Sequence, residues 1–266
     1  MLEALHKNAD RFKGFADPYD EARPKMPGYP AEVIARWLGR APHTVVDLGC
    51  GTGLSLPVWQ GKAEKVVGVE PSGDMLALAK AKNLPNTTFV QAFAHETGLP
   101  DSMADVVICS QSFHWMEPAA TLREVGRILK PNGIFATVDC DWPPVCDWRA
   151  EDAYRALRER EQDLELAYPD LSNSFVRFPK ERHLQNIKES GQFSYTREIV
   201  FANRESCTSE RLSRLMLSQG GLQAILRLHP EEIEADLARF RETVFSIYGN
   251  TPFPIEFCYR MRIGVK

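Results

Sequence analysis

The chain has 266 residues, of which 44% are hydrophobic, and a formal net charge of -4; that is enough apolar material for one sizeable core. The mildly acidic balance argues against nucleic acid as a partner, since tight binding there needs clustered cations, and charged runs such as Arg158 to Arg160 sit among acids. No run reaches the length of a membrane span, the opening MLEALHKNADRFK lacks the apolar region of a secretory signal, and the six cysteines show no CxxC spacing, so we expect a cytoplasmic chain with reduced, mostly buried thiols and no membrane partner.

The first thirty residues are rich in Pro, Gly and aromatics and read as an irregular arm. A helix is expected from Pro30 to Leu38, with proline at its first position and Gly39 at its stop. From Thr44 the pattern alternates. TVVDL is a strand ending in a glycine loop, followed by a helix carrying Leu54, Leu56, Val58 and Trp59. Lys65 to Glu70 is the second strand, and Ser72 caps a helix with Met75, Leu76, Leu78 and Ala79 on one face. TTFVQ and DVVICS are the third and fourth strands. Pro118 opens a helix that KPNG breaks, and IFATVD is the fifth strand. Such alternation specifies a mostly parallel sheet with helices on both faces.

Beyond Asp141 the rhythm changes. WPPVCDW reads as a loop, with helices expected at Trp148 to Ala167, Glu181 to Ser190, Ser209 to Ser218, Leu222 to Leu228 and Pro230 to Tyr248. Strands are expected at QFSYTREIVFA and at the terminal IEFCYRMRIGV. The expectation is a single domain over residues 1–266, with an arm at 1–30 and lid helices within 142–230.

The strongest signal is VVDLGCGTG, from Val45 to Gly53. Its glycines allow close approach of backbone to a ligand, and the turn joins a strand to the next element at the carboxyl edge of the sheet, where open α/β folds bind ligands. Glu70 ends the following strand and can accept both hydroxyls of a ribose. A dinucleotide fingerprint would read GxGxxG; here GCGTGL has leucine in the last place. Asp47, two residues before the first glycine, would repel a pyrophosphate and suit a cationic sulfonium carrying an ammonium group. Three readings follow: an enzyme using a positively charged nucleoside, an NAD(P)-dependent oxidoreductase on a dinucleotide fold, and a non-catalytic cofactor-binding protein.

DLGCGTG resembles motif I of the class I S-adenosylmethionine-dependent methyltransferases. GVEPSGDML, AHETGLP, ADVVICSQSFHW and EVGRILKPNGIFATV are similar to the type 11 methyltransferase family, and the likeness extends to SQGGLQAIL and CYRMRIGV. The resemblance implies an α/β Rossmann-like seven-stranded mixed sheet, the last strand inserted antiparallel, with a helical lid. It implies S-adenosyl-L-methionine as cofactor and S-adenosyl-L-homocysteine as product, and methyl transfer to a small molecule through a carboxylate, O, N or S nucleophile. The residues it assigns to the cofactor are Tyr19 and Arg23 at the methionyl carboxylate, and Asp47, Gly49, Cys50 and Gly51 around the methionyl and ribose parts. Glu70 takes the ribose hydroxyls, Pro71 and Met75 the adenine slot, and Ala94 and His95 the adenine amine, with His95 where the family usually has glutamate. Ser110 and Gln111 lie below the sulfonium and Trp115 closes the pocket. His114 is the candidate general base, or a ring stacked on the cofactor. His114, Trp115 and Trp142 are the candidate substrate pocket. Tyr168, His183 and His229 read as packing or surface residues, and no histidine stands at metal-ligand spacing.

Overall fold

The computed structural model describes Asn8 and residues 20–172 and 175–266. Tyr19 and most of the expected arm lie outside the described residues. The described residues cluster into two compact units, one comprising 24–140, 177–200 and 259–266, the other Asn8, 20–23, 141–172, 175–176 and 201–258.

The strands are β1 (Thr44–Leu48), β2 (Lys65–Val69), β3 (Thr87–Val90), β4 (Ala104–Ser110), β5 (Leu129–Cys140), β6 (Tyr195–Cys207) and β7 (Phe253–Val265). They form one seven-stranded sheet in the order β3-β2-β1-β4-β5-β7-β6. β1 to β5 pair in parallel, and β7 runs antiparallel to β5 with Ile134 opposite Val265 and Cys140 opposite Tyr259. This is the mixed sheet of the Rossmann-like fold, as expected. The parallel strands are short and β-branched because both faces are covered, and every residue of β1 is buried. Alternate residues Val46, Leu48, Val67, Val69, Val107, Cys109 and Phe135 share one face with Leu122, Val125 and Ile128 of the helix α3 introduced below.

The first helices of the sheet-bearing unit are α1 (Tyr29–Leu38), α2 (Gly73–Ala81) and α3 (Pro118–Ile128). α1 ends at Gly39, whose φ of 70° closes it in the left-handed conformation. α3 begins with Glu117 accepting from the backbone N–H groups of Ala119 and Ala120. One expected helix is absent. After the glycine turn the chain makes only a 3₁₀ turn over Leu56–Trp59. Gly51 and Gly53 hold positive φ, Pro57 has no N–H to donate, and Gly61 turns left-handed at φ 72°. That leaves no uninterrupted run long enough to nucleate an α-helix. The KPNG segment also lies inside β5, as an irregularity: Ala104 pairs with Leu129 but Val106 pairs with Ile134, so residues 130–133 fall out of register.

The second unit is helical. It contains α4 (Trp148–Ala167) and α5 (Pro169–Ser172), then, beyond α6 (His183–Glu189) of the sheet unit, α7 (Ser209–Leu217), α8 (Gly220–Leu228) and α9 (Glu234–Tyr248). α4 packs on α8 and α9 through Tyr154, Leu157, Leu164, Ile225, Leu237 and Phe240, with the Tyr154 and Phe240 rings edge-on at 5.9 Å. Among the described residues no helix is long and apolar enough to cross a membrane, and no cluster of acids, histidines and cysteines could hold a metal ion. All six cysteines are free thiols, with Cys50, Cys109 and Cys140 buried.

Candidate functional site

The strand order reverses between β1 and β4, with β2 on one side and β5 on the other. That switch point opens a crevice at the carboxyl ends of the strands. The glycine turn fills it from below. Gly49, Gly51 and Gly53 all hold positive φ, at 67°, 55° and 84°. Two of these glycines serve packing: a Cβ on Gly49 would lie 2.7 Å from Ser112 Cβ, and one on Gly53 would lie 3.0 Å from Leu56. Among the described residues, a Cβ on Gly51 would meet nothing within 4 Å. The backbone there faces open space, as a surface that receives a ligand must.

Two carboxylates flank the turn. Asp47 is 0% exposed. Its Oδ2 accepts a very short hydrogen bond from the Ser55 hydroxyl, while Oδ1 is buried with no hydrogen-bond partner. Burial pushes the carboxyl up to about 7; the Ser55 bond works against this and the nearby Glu70 charge adds to it. Glu70 is 8% exposed and pinned by backbone, its Oε2 accepting from Gly51 N–H at 3.0 Å and Oε1 from Ser72 N–H at 2.9 Å. Burial raises its pKa too, against those two bonds. Ser72 does precede α2, but its side chain makes no cap; its N–H serves Glu70 instead.

Around them stand the other expected cofactor residues of this unit. Cys50 and Met75 are buried, and Pro71 and Ser110 are half-buried. Ala94 belongs to the core cluster, and the His95 ring lies 5.6 Å from that of Phe93. The loop holding them is tied to α3, because Thr97 donates both its N–H and its hydroxyl to Glu124 Oε1. Gln111 adopts φ 56°, donates its N–H to Val138 O at 2.9 Å, and leads into a 3₁₀ turn over Phe113–Trp115. Ser112 closes the turn against β1 by donating to Leu48 O at 2.7 Å.

On the β4–β5 side His114 joins a cluster whose other members, Asp139, Lys180 and Arg262, were not assigned from the sequence, while His183 was read as a packing residue. Asp139, near the end of β5, is 1% exposed. Its Oδ2 meets His183 Nδ1 at 3.1 Å and Arg262 Nη1 at 3.0 Å. Its Oδ1 lies 3.4 Å from Lys180 Nζ and 3.7 Å from His114 Nδ1, the latter too long for a hydrogen bond. Burial opposes the charge, but Lys180 and the two histidine rings outweigh it and hold the carboxyl well below its ordinary range. Burial likewise pushes His114 down to about 3, helped by the Lys180 charge. Lys180 also donates to Gln111 Oε1 at 3.3 Å, and the Arg177 guanidinium lies 5.2 Å over the Trp115 ring. The one sequence signal for Asp139 was an acid at the end of the apolar strand IFATVD.

Arg23 and Trp142 belong to the helical unit. The Arg23 guanidinium lies 5.0 Å over the Trp142 ring and donates to Ser218 O at 2.9 Å and Gln219 Oε1 at 3.1 Å. Trp142 stacks on Tyr154 at 6.2 Å. Of the histidines read as packing residues, His183 is fully buried, and His229 pairs with Asp170 and stacks on Tyr168.

The sequence and the fold resemble those of known methyltransferases. Residues 46–137 match the family model described as a methyltransferase domain. An uncharacterized methyltransferase of Mycobacterium tuberculosis is 37% identical over 120 residues, which are 45% of this chain and 48% of that protein. The chain thus spans about half the length of the first curated relatives it matches. An uncharacterized methyltransferase-like protein of Schizosaccharomyces pombe is 25% identical over 251 residues, 94% of this chain and 92% of that one. Among solved structures, a putative type II methyltransferase from Anaeromyxobacter dehalogenans superposes with a TM-score of 0.66 at 21% identity, covering 91% of this chain and 97% of the other. The glycine turn, the two buried acids beside it and the strand order lie within or adjoin the matched segment, and that segment is similar to the methyltransferase domain of the type 11 family.

Proposed function

We propose that the protein transfers a methyl group from S-adenosylmethionine to a small molecule. The observation that carries this is the orphaned, buried Oδ1 of Asp47 beside the open face of Gly51. A buried acceptor without a partner is costly, and a ligand cation or donor would satisfy it. With Glu70 it makes a negative cradle that suits a sulfonium and its ammonium group and opposes a dinucleotide pyrophosphate.

Asp47, Gly49, Cys50 and Gly51 would hold the methionyl and ribose parts, Glu70 the ribose hydroxyls, and Pro71, Met75, Ala94 and His95 the adenine. Ser110, Gln111 and Trp115 would bound the sulfonium. The assignments of Tyr19 and Arg23 to the methionyl carboxylate, and of Trp142 to the substrate pocket, stand as proposals on family resemblance. So does a lid formed by helices within 142–230.

The cofactor supplies an electrophile already activated by its charge. The protein's work is to align the nucleophile and exclude water. His114, uncharged across the neutral range, is a weak base but a competent hydrogen-bond acceptor for an incoming hydroxyl or amine. Labelled S-adenosylmethionine offered with carboxylate, amine, thiol and phenol acceptors tests the reading, with S-adenosylhomocysteine binding measured alongside by calorimetry. Bound NAD in the purified protein would favour an oxidoreductase instead; cofactor binding with no turnover across all acceptor classes would favour a binding protein.

A further inference from the structure

The crevice carries opposite charge at its two sides. On the β1–β2 side are Asp47 and Glu70, both buried. On the β4–β5 side, Asp139 already has Arg262 at 3.0 Å, and Arg262 is further held by Glu198 at 2.8 Å. That pairing is nearly sealed, with Arg262 4% exposed. Lys180 and Arg177 bring further cations to the same edge. Lys180 keeps 27% of its side chain exposed, and its two contacts, at 3.3 and 3.4 Å, lie at the long end of hydrogen bonding. Only the 3.3 Å contact with Gln111 is a hydrogen bond, the approach to Asp139 being an ion pair, and an ammonium has three donors, so two remain for a ligand. The segment is anchored at the site and not merely near it: Phe178 N–H donates to His114 O at 2.8 Å, between Arg177 and Lys180 in sequence.

A cation beside the site of a sulfonium is unfavourable unless an anion lies between them. We propose that Lys180, with Arg177 over Trp115, forms a binding site for a carboxylate, and that the acceptor substrate is a carboxylate-bearing small molecule. The inference rests on the methyltransferase reading. β5 stands three strands from β2, roughly 14 Å at ~4.8 Å per strand, so the cationic side is set off from Glu70. A carboxylate there would complete a pairing of negative subsite with cationic donor and cationic subsite with anionic acceptor, and would orient the acceptor end-on to the methyl group. The same chemistry is also present in the cofactor's own methionyl carboxylate.

The test uses the full chain and three variants, Lys180→Gln, Lys180→Arg and Arg177→Gln, each first checked for a parental melting temperature. Calorimetry measures S-adenosylhomocysteine binding. It then measures succinate, citrate and benzoate, each beside its amide, with and without saturating S-adenosylhomocysteine. We expect at least one carboxylate to bind, its amide to bind at least tenfold more weakly, and Lys180→Gln to weaken the carboxylate at least tenfold while Lys180→Arg restores most of it. S-adenosylhomocysteine affinity should stay within twofold. If instead Lys180→Gln weakens S-adenosylhomocysteine tenfold and leaves the added carboxylates alone, the carboxylate served is the cofactor's, and the acceptor assignment is overturned. If no carboxylate binds, or Lys180→Gln and Arg177→Gln bind every probe as the parent does, the site itself is refuted. Failure of the parent to bind S-adenosylhomocysteine at all would count against the methyltransferase reading, and carboxylate binding in its absence is read separately.

Discussion

At the residue scale, Asp47 and Glu70 carry the sharpest expectations because their functions and their costs differ. Asp47 is a carboxyl raised by burial to about 7, so below that pH it is mostly protonated and above it charged. The ammonium group of the cofactor, which S-adenosylhomocysteine keeps, favours the charged form. Affinity for S-adenosylhomocysteine should therefore rise about tenfold from pH 6 to pH 8, a change attributable to ionisation of one group a unit either side of its pKa. Asp47→Asn should flatten that profile and weaken binding at least tenfold at pH 8. The same substitution should leave the fold no less stable at pH 8, since the cost of ionising a buried acid is present above about pH 7 and absent below the unfolded value of 3.8. A pH series of calorimetric titrations beside melting curves reads both. Glu70 is different, because its carboxylate also satisfies Gly51 N–H and Ser72 N–H. Glu70→Ala should lose binding tenfold to a hundredfold and also cost about 1–3 kcal/mol of stability from orphaned donors. Glu70→Gln, which retains one acceptor, should recover part of the stability while binding stays weak; equal stability of the two variants in urea would show that the backbone bonds contribute little.

His114 belongs at this scale as well. Its pKa of about 3 means that it adds no inflection to kcat between pH 6 and 8. His114→Gln, which keeps an acceptor, should retain more turnover than His114→Phe, by about tenfold, with cofactor affinity unchanged in both. An inflection near pH 6.5 that vanishes in His114→Gln would reveal a titrating base instead.

At the scale of elements, the glycine turn separates packing from binding. Ala at Gly49 would press on Ser112 and Met116, at 2.7 and 2.8 Å, and so disturb the β4 turn that Ser112 anchors to β1. Among the described residues, Ala at Gly51 meets no atom within 4 Å and pays only the left-handed backbone cost of about 1–2 kcal/mol. Gly51→Ala should accordingly fold with a modestly lowered melting temperature yet bind S-adenosylhomocysteine at least tenfold more weakly. Undiminished binding would mean that no ligand approaches this backbone. The elements themselves were mostly legible. β1 to β5 and the helices from Pro118 and Trp148 begin or end within a few residues of where hydrophobic period, Pro and Gly place them. The exception after Gly53 has a local cause: the apolar residues have helical spacing, but Pro57 and the left-handed glycines deny the backbone a helix.

At the scale of the whole molecule, the expected lid is open to measurement. If the helices of 148–228 close over a bound cofactor, S-adenosylhomocysteine should increase amide protection there and at 20–30, beyond the protection gained at the glycine turn itself. Hydrogen exchange with and without the ligand reads this directly; gains confined to 47–53 and 70–76 would remove the lid from the mechanism.

By itself the sequence determined the alternation of strand and helix, the glycine turn and the acids at 47 and 70. Each of these is written in residues close together along the chain, and each depends on local rules: period, backbone permissiveness, and an acid within one β-turn-β unit. It also carried the resemblance to a methyltransferase family, through motifs spread over nearly the whole length. The tertiary structure alone decided the Asp139 cluster. His183 stands 44 positions from Asp139 and Arg262 stands 123 away. No period links such residues; they meet because β7 inserts antiparallel beside β5 and the 177–183 segment returns to the β4 turn. The same holds for Arg23, whose partners Ser218 and Gln219 lie 195 and 196 residues away. A buried charge declares itself in sequence as an acid in an apolar strand, but the cations that make it tolerable are chosen by topology.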